Sequence, residues 1–250
     1  MRNSCRRIFT LALRNLKEIV REPLGLIFMI GLPLVLQVLF YYIFHNMTAQ
    51  FEMKYLATGI VAFAQSFLTL FTAILLATDR STSFLTRLYV SPAKSHEFIF
   101  GYTLALLPLS LGQSVLFFVV GGVIDSTFWS ATMPLGVLLS LFTSVLFIGL
   151  GLLIGSLCNE HAVGGVCSIV ITGQSILSGM WFPIEGLPKG IIVLMRVLPF
   201  RNASMLLQNV VNGYTDLWRD VGLPILVLVA YTVAVLIVAI LVFRNKMKKQ

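Results

Sequence analysis

The chain has 250 residues, 58% hydrophobic and 11% charged, with a net charge of +8. A soluble domain carries about 25% charged residues, so the composition excludes an ordinary water-soluble globule and leaves a single membrane domain as the economical reading. Cys5, Cys158 and Cys167 have no pair spacing and imply neither a disulfide nor a metal.

Residues 1–22 read as an amphipathic helix. Ile8, Phe9, Ala12, Leu13, Leu16, Ile19 and Val20 recur at helical spacing, while Arg6, Arg7, Thr10, Arg14, Asn15, Lys17 and Glu18 take the other face. Pro23 stops this helix or turns it into the apolar run that begins at Leu24. A basic amphipathic helix placed here lies flat on the inner membrane surface, as a lipid anchor or against a cytoplasmic partner.

Six apolar stretches fill most of the chain, at 24–44, 55–77, 98–124, 132–157, 163–181 and 222–243. Each reaches or approaches the ~20 residues that cross ~30 Å of hydrocarbon. In lipid every backbone amide must be paired within its own element, which makes these stretches helices. The expected fold is an all-α polytopic membrane protein with six transmembrane helices. The first stretch is too long and too late for a cleaved signal peptide, so the N-terminus is expected to be retained.

The basic residues divide unequally about these stretches. Arg2, Arg6, Arg7, Arg14, Lys17, Arg21, Arg80, Arg87, Lys94, Arg244, Lys246, Lys248 and Lys249 fall on one side. Only Lys54, Lys189, Arg196, Arg201 and Arg219 fall on the other. Basic residues stay cytoplasmic during insertion, so both termini are expected inside. The positive charge is thus a topology signal and a contact for anionic lipid heads, not a nucleic-acid surface.

Between the second and third stretches, residues 79–92 carry an apolar stripe of Phe84, Leu85, Leu88 and Tyr89 flanked by Arg80 and Arg87 and ended by Pro92. Such a helix in an inside loop is a lid on the bundle or a docking surface. The connections at 45–54, 125–131 and 158–162 are short. After the fifth stretch, prolines and glycines break the chain. Two runs too short to span occupy 188–212: one from Ile191 to Leu198, broken by Pro199, and one over 203–211. They read as short re-entrant helices in the outer leaflet, rimmed by Trp181 and Trp218.

Enzymatic chemistry is not evident. There is no Gly-x-x-x-x-Gly-Lys-Ser/Thr and no His-Glu-x-x-His, and His45, His96 and His161 lie far apart. Asn159-Glu160-His161 reads as a polar inside turn. Ser178-Gly179 has no membrane-embedded histidine to activate it. Asp79, Glu97, Asp125, Glu160, Glu185, Asp216 and Asp220 all fall at or beyond stretch ends, whereas ion-coupled carriers need ionisable groups at depth. The stretches hold neutral Gln37, Gln65, Gln113 and Gln174, as interhelical hydrogen bonds or as a weakly polar substrate path. Energy for uphill transport must then come from a separate motor subunit.

The run Leu177-Ser178-Gly179-Met180-Trp181-Phe182-Pro183-Ile184-Glu185-Gly186-Leu187-Pro188, with Pro199 beyond it, resembles a signature of the permease subunits of type-2 ABC transporters, the bacterial drug, antibiotic and polysaccharide exporters. Asp79-Arg80, Leu85, Arg87-Leu88 and Val90-Ser91-Pro92 are similar to that family's coupling region, although Ser83-Phe84 stands where Gly-Thr is typical. The resemblance implies a connecting helix over 1–22, a coupling helix over 79–92 and re-entrant helices over 188–212. It implies coupling to an ATPase through Arg80, Phe84, Leu85, Arg87, Leu88, Tyr89, Ser91 and Pro92, together with Arg7 and Arg14. It further implies an outer gate at Ser178, Gly179, Phe182, Pro183, Glu185, Pro188 and Pro199, and a path past Gln37, Gln65, Gln113 and Gln174. The chain itself would hold no cofactor. ATP and Mg would be bound by two cytoplasmic ATP-binding subunits, beneath a dimer of this chain with a second copy or a paralogue, in the bacterial cytoplasmic membrane. The expected function is outward movement of an amphiphilic drug, antibiotic or peptide-like substrate. A non-transporting sensor or assembly protein and an ATP-independent channel are the alternatives.

Overall fold

Long apolar runs can satisfy their own backbones in lipid only by coiling, and the computed structural model is helical throughout, with no strand among its described residues: 2–82, 95–182, 184 and 186–247. In chain order the helices are α1 (Arg2–Val20), α2 (Pro23–Phe44), α3 (Met53–Ser81), α4 (Ser95–Ile124), α5 (Met133–Leu157), α6 (Glu160–Leu177), α7 (Lys189–Val197), α8 (Pro199–Asn212) and α9 (Leu223–Met247). Helix α2 contains a π-turn at Ile27–Gly31, and a second π-turn, Trp218–Gly222, leads into α9.

By length and composition α2, α3, α4, α5 and α9 with its lead-in can each cross a membrane. The pair α7–α8, bent by 78°, makes a sixth candidate if it is counted as one broken span. Helix α6 stands apart. Its 18 residues open on Glu160 and His161 and extend only ~27 Å at 1.5 Å per residue. The apolar pattern runs on to Trp181, but the helix stops at Leu177 because Gly179 adopts φ +71°, a left-handed conformation that glycine takes without a Cβ penalty.

Pro199 begins α8 rather than merely ending α7. At the first helical position its missing N–H is one of the donors a helix leaves unpaired in any case. Asn202 Nδ2 then donates to the carbonyls of Arg196 (2.9 Å) and Leu198 (2.8 Å), satisfying backbone exposed at the bend.

Helix α3 is the axis of the bundle. Its apolar window is 83% buried, against 17% for α2 and 22% for the last helix, which therefore present most of their surface outward. Helix α5 lies closest to α3, and its glycines are the cause. A Cβ on Gly151 would stand 2.5 Å from the Thr69 carbonyl oxygen, and one on Gly155 would stand 2.7 Å from that of Ala73. Gly151 and Gly155 form the small-x-x-x-small spacing that lets membrane helices touch backbone to backbone. At that separation Thr69 Oγ1 reaches across to the Phe147 carbonyl at 2.9 Å.

Candidate functional site

The richest chemistry lies where α3 ends and α4 begins, at the two roots of segment 83–94. Asp79 and Arg80 are adjacent in sequence but serve opposite sides of the bundle. Asp79 is 2% exposed. Arg14 of α1 grips both of its oxygens, at 2.6 Å from Nη1 to Oδ2 and 2.7 Å from Nη2 to Oδ1. The Tyr102 hydroxyl of α4 donates to the same carboxylate. A two-point guanidinium–carboxylate pair of this kind fixes orientation as well as charge.

Two further side chains complete the grip. Asn15, itself buried, accepts from Arg14 Nη1 at 2.9 Å, and Glu18 sits one turn on at 2.7 Å from Arg14 Nη2. Burial alone would lower the Arg14 pKa, but the hydrogen bond and charge of Asp79 outweigh it and hold the guanidinium above its ordinary value. Burial raises the Glu18 carboxyl above its ordinary range, and the charge of Arg14 opposes that shift.

The other root is tied to the same helix. Glu97, in the first turn of α4, is 5% exposed. It accepts a hydrogen bond from Ser4 Oγ and lies 3.5 Å from Arg7 Nη1. Between these anchors Leu11 packs on Gly101, whose hydrogen leaves room where a Cβ would come within 2.7 Å. Helix α1 therefore holds the chain just before segment 83–94 and just after it.

Arg80 turns away to α5. Its Nη1 donates to the carbonyls of Gly155 (2.6 Å), Ser156 (2.7 Å) and Cys158 (3.1 Å), which a helix C-terminus leaves without partners. Thr78 and Ser81 hydroxyls donate to the Glu160 carboxylate, at 3.2 and 3.0 Å, and Asn159 caps α6 by accepting from the Ala162 amide. The end of α3 is thus bound to α1, α4, α5 and α6. Of the coupling residues named from sequence, Arg7, Arg14 and Arg80 are in this assembly. Phe84, Leu85, Arg87, Leu88, Tyr89, Ser91 and Pro92 lie outside the described residues.

The four glutamines are all buried, on four different helices. Gln65 Nε2 donates to the Ser140 carbonyl at 2.7 Å, and its Oε1 accepts from Thr143 at 2.7 Å. Gln37 Nε2 donates to the Phe117 carbonyl at 3.0 Å, and Gln174 Nε2 to Ser204 Oγ at 3.2 Å. Gln113 differs: neither atom of its amide meets a partner among the described residues, nor does the hydroxyl of Ser110 one turn earlier.

On the opposite end, Ser178 Oγ accepts from the Met180 amide at 3.3 Å. Gly179 makes the turn, Phe182 is half-buried, and Pro188 and Pro199 start α7 and α8. Pro183 and Glu185 lie outside the described residues. Trp181 donates to Ser175 Oγ at 2.9 Å and packs edge-on against Phe40 and Phe63.

Among the described residues no group of three or more His, Cys, Asp or Glu could hold a metal. What the arrangement does show is mechanical continuity: the residues that flank segment 83–94 tie α1, α3, α4, α5 and α6 together. Sequence reasoning passed over Tyr102, and it put Asn15 on the outward polar face of α1, whereas the packed bundle buries it beside Arg14. It also passed over Gly151 and Gly155, whose four-residue spacing was there to be read.

No curated protein matches the sequence. The family profile described as ABC-2 type transporter matches residues 6–212, from the first turns of α1 to the last residue of α8. The chain therefore belongs to the ABC-2 type transporters, as a multi-pass membrane component of an ABC transporter, distinct from the ATPase and associated with an ABC ATP-binding subunit.

Proposed function

We propose that this chain is the permease of an ATP-driven exporter that carries an amphiphilic drug-like, antibiotic or peptide-like substrate out across the bacterial cytoplasmic membrane. It works as a dimer with a second copy or a paralogue, with both termini inside. Two cytoplasmic subunits bind ATP and Mg, and segment 83–94 receives their movement through Phe84, Leu85, Arg87, Leu88, Tyr89, Ser91 and Pro92.

The observation that carries this reading is the double tether of α1. Asp79 and Glu97, at the two roots of segment 83–94, are both held by α1. A push on the segment therefore displaces α1, α3 and α4 together. Nucleotide binding can shift the bundle only by acting differently on two arrangements of it, and a load-sharing cluster at the segment's base makes that difference reach the membrane helices. Two further observations support an amphiphilic cargo. The spans hold no ion pair at depth among the described residues, and Gln113 keeps donor and acceptor capacity free in an apolar setting. The turn at Ser178-Gly179 with Phe182, Pro183, Glu185, Pro188 and Pro199 serves as the outer gate.

The test is co-expression with the cognate ATP-binding subunit. Wild type is expected to co-purify with it, to stimulate its ATPase and, in vesicles, to move a fluorescent amphiphile outward only with ATP. The variant carrying Phe84→Asp, Leu88→Asp and Tyr89→Asp is expected to insert normally and to lose both binding and stimulation. Undiminished stimulation by that variant would remove segment 83–94 from the coupling role.

A further inference from the structure

Polar atoms without partners gather where α2 meets α4. Neither amide atom of Gln113 nor the Ser110 hydroxyl is matched among the described residues, and both residues are 1% exposed. Gln37 of α2, fully buried, uses its Nε2 on the Phe117 carbonyl at 3.0 Å and on Met53 Sδ at 3.6 Å. Its Oε1 is unmatched as well. At about 100° per residue, Ser110, Gln113, Phe117 and Gly121 fall within about 80° of one another on α4. Gln37 lies against this strip: a Cβ on Gly121 would come within 3.2 Å of its Nε2. Gln65 differs, because Ser140 and Thr143 of α5 satisfy both its amide atoms.

A polar atom left unpaired in a dry interior costs free energy, and a ligand that pairs it recovers that cost. The surroundings decide which ligand fits. No Asp, Glu, Lys, Arg or His occurs in 23–44 or 98–124. A charged group would therefore be buried here without a counter-ion, at far greater cost than a neutral one. The Gln113 side chain offers an N–H donor and a carbonyl acceptor, the complement of the carbonyl and N–H of a secondary amide. Ser110 can take either role, and Gln37 Oε1 accepts.

We infer that Gln37, Ser110 and Gln113 form a binding site between α2 and α4 for the neutral amide end of an amphiphile that enters sideways from the bilayer. Both helices are interrupted within two turns of these groups. In α2 a π-turn at Ile27–Gly31 and then Pro33 precede Gln37. In α4 Pro108 precedes Ser110 and withdraws an N–H from the helical ladder. Helices bend at such breaks. Of the candidate spans, α2 also has the least of its window buried, 17%. Its displacement opens the site to the hydrocarbon, where an acyl chain already concentrates the ligand.

The inference rests on the permease reading only in calling the ligand cargo. Its test uses the purified full chain in phosphatidylcholine nanodiscs, with neither ATP nor an ATP-binding subunit, so a failure of ATPase stimulation would remove the motor reading and leave amide binding standing. The probe is a diazirine-bearing fatty N-methylamide, photo-crosslinked and mapped by peptide mass spectrometry. Its competitors are the unlabelled amide, the methyl ester and a trimethylammonium amphiphile of the same chain length. Wild type is expected to be labelled saturably on α2 and α4, with the ester and the cation competing at least about tenfold more weakly than the amide. Gln113→Leu, which has no partner to lose among the described residues, is expected to erase the preference for amide over ester. Ser110→Ala, a smaller change, is expected to reduce it about threefold. Equal competition by amide and ester in wild type overturns the proposal and leaves these atoms to buried water. An undiminished preference in both variants, or labelling confined to other helices, overturns it too. Tighter competition by the trimethylammonium amphiphile would overturn the neutral class.

Discussion

The end of the bundle that carries segment 83–94 and the bundle's interior are held by different chemistry. At the roots of segment 83–94 the ties are charged and long-armed: Arg14 to Asp79, Arg7 to Glu97, and Arg80 to the carbonyls of α5. At membrane depth the ties are neutral and short: Gln65 to Ser140 and Thr143, Thr69 to Phe147, and glycine against backbone at Gly151 and Gly155. Charge is affordable only where water or a partner ion is near, so the interior gains adhesion by close approach. The two regions also differ in what they can do. Ion pairs between side chains can stretch and re-form as helices tilt, whereas backbone contact through glycine permits sliding but no gap. The contacts therefore suit the interior to a block and the charged end to its joint.

Breaking the block should have the largest effect. Valine at both Gly151 and Gly155 places branched side chains inside distances of 2.5 and 2.7 Å from backbone oxygens. Overpacking costs about 1–3 kcal/mol at each site, and the double variant is expected to lose its monodisperse peak in size-exclusion chromatography. Breaking the joint comes next. Arg14→Ala leaves Asp79 buried with Tyr102 as its remaining side-chain partner among the described residues, and the loss is expected near 2–3 kcal/mol, below the about 3–5 kcal/mol of a fully buried pair because Arg14 is a third exposed. Arg14→Lys should recover little of it, since an ammonium cannot make the two-point contact. Thermal unfolding in detergent measures both, and full stability in Arg14→Ala would show that the joint carries nothing.

Within the block, Gln65→Leu removes two interhelical hydrogen bonds. At an average of about 0.6 kcal/mol each, it should cost roughly 1 kcal/mol and leave ATPase stimulation unchanged, which separates packing from transport at this position. Gln113→Leu sharpens the contrast: with no partner to lose among the described residues, it should be neutral or stabilising, while transport of the amphiphile falls. The smallest effect belongs to the exposed pair Lys54–Glu52, 3.0 Å apart with both side chains about half exposed. Lys54→Ala should shift stability by less than about 0.5 kcal/mol.

Much of this architecture was legible because a bilayer removes alternatives. Apolar length forces helices, and basic residues outside the spans set an expected orientation that the helices alone do not test. Helix ends were less legible. The fifth stretch reads to Trp181, yet one positive φ at Gly179 stops α6 at Leu177. Pro199, which reads as a breaker, starts a helix whose bend is sealed by Asn202. The charged cluster could be read only in halves. Arg14 and Asp79 stand out as polar residues at helix margins, but their pairing across 65 positions is a property of the packed bundle. The apolar residues of α1 look like one face in sequence. In the fold they divide, Ala12 and Ile19 buried and Phe9, Leu13 and Val20 exposed, because Asn15 and Arg14 take places in the bundle that Phe9 and Leu13 would be expected to fill.

The double tether of α1 also imposes an order on biogenesis. Helix α1 is made first, but its anchors at Asp79, Glu97 and Tyr102 emerge some eighty residues later. At about 5–20 residues per second, roughly 4–16 s of synthesis pass before it can dock. Through that interval the helix must rest elsewhere, and its amphipathic pattern suits it to the membrane surface. The contacts of α1 can then close once the start of α4 has emerged, and those of Arg80 with the end of α5 only later still.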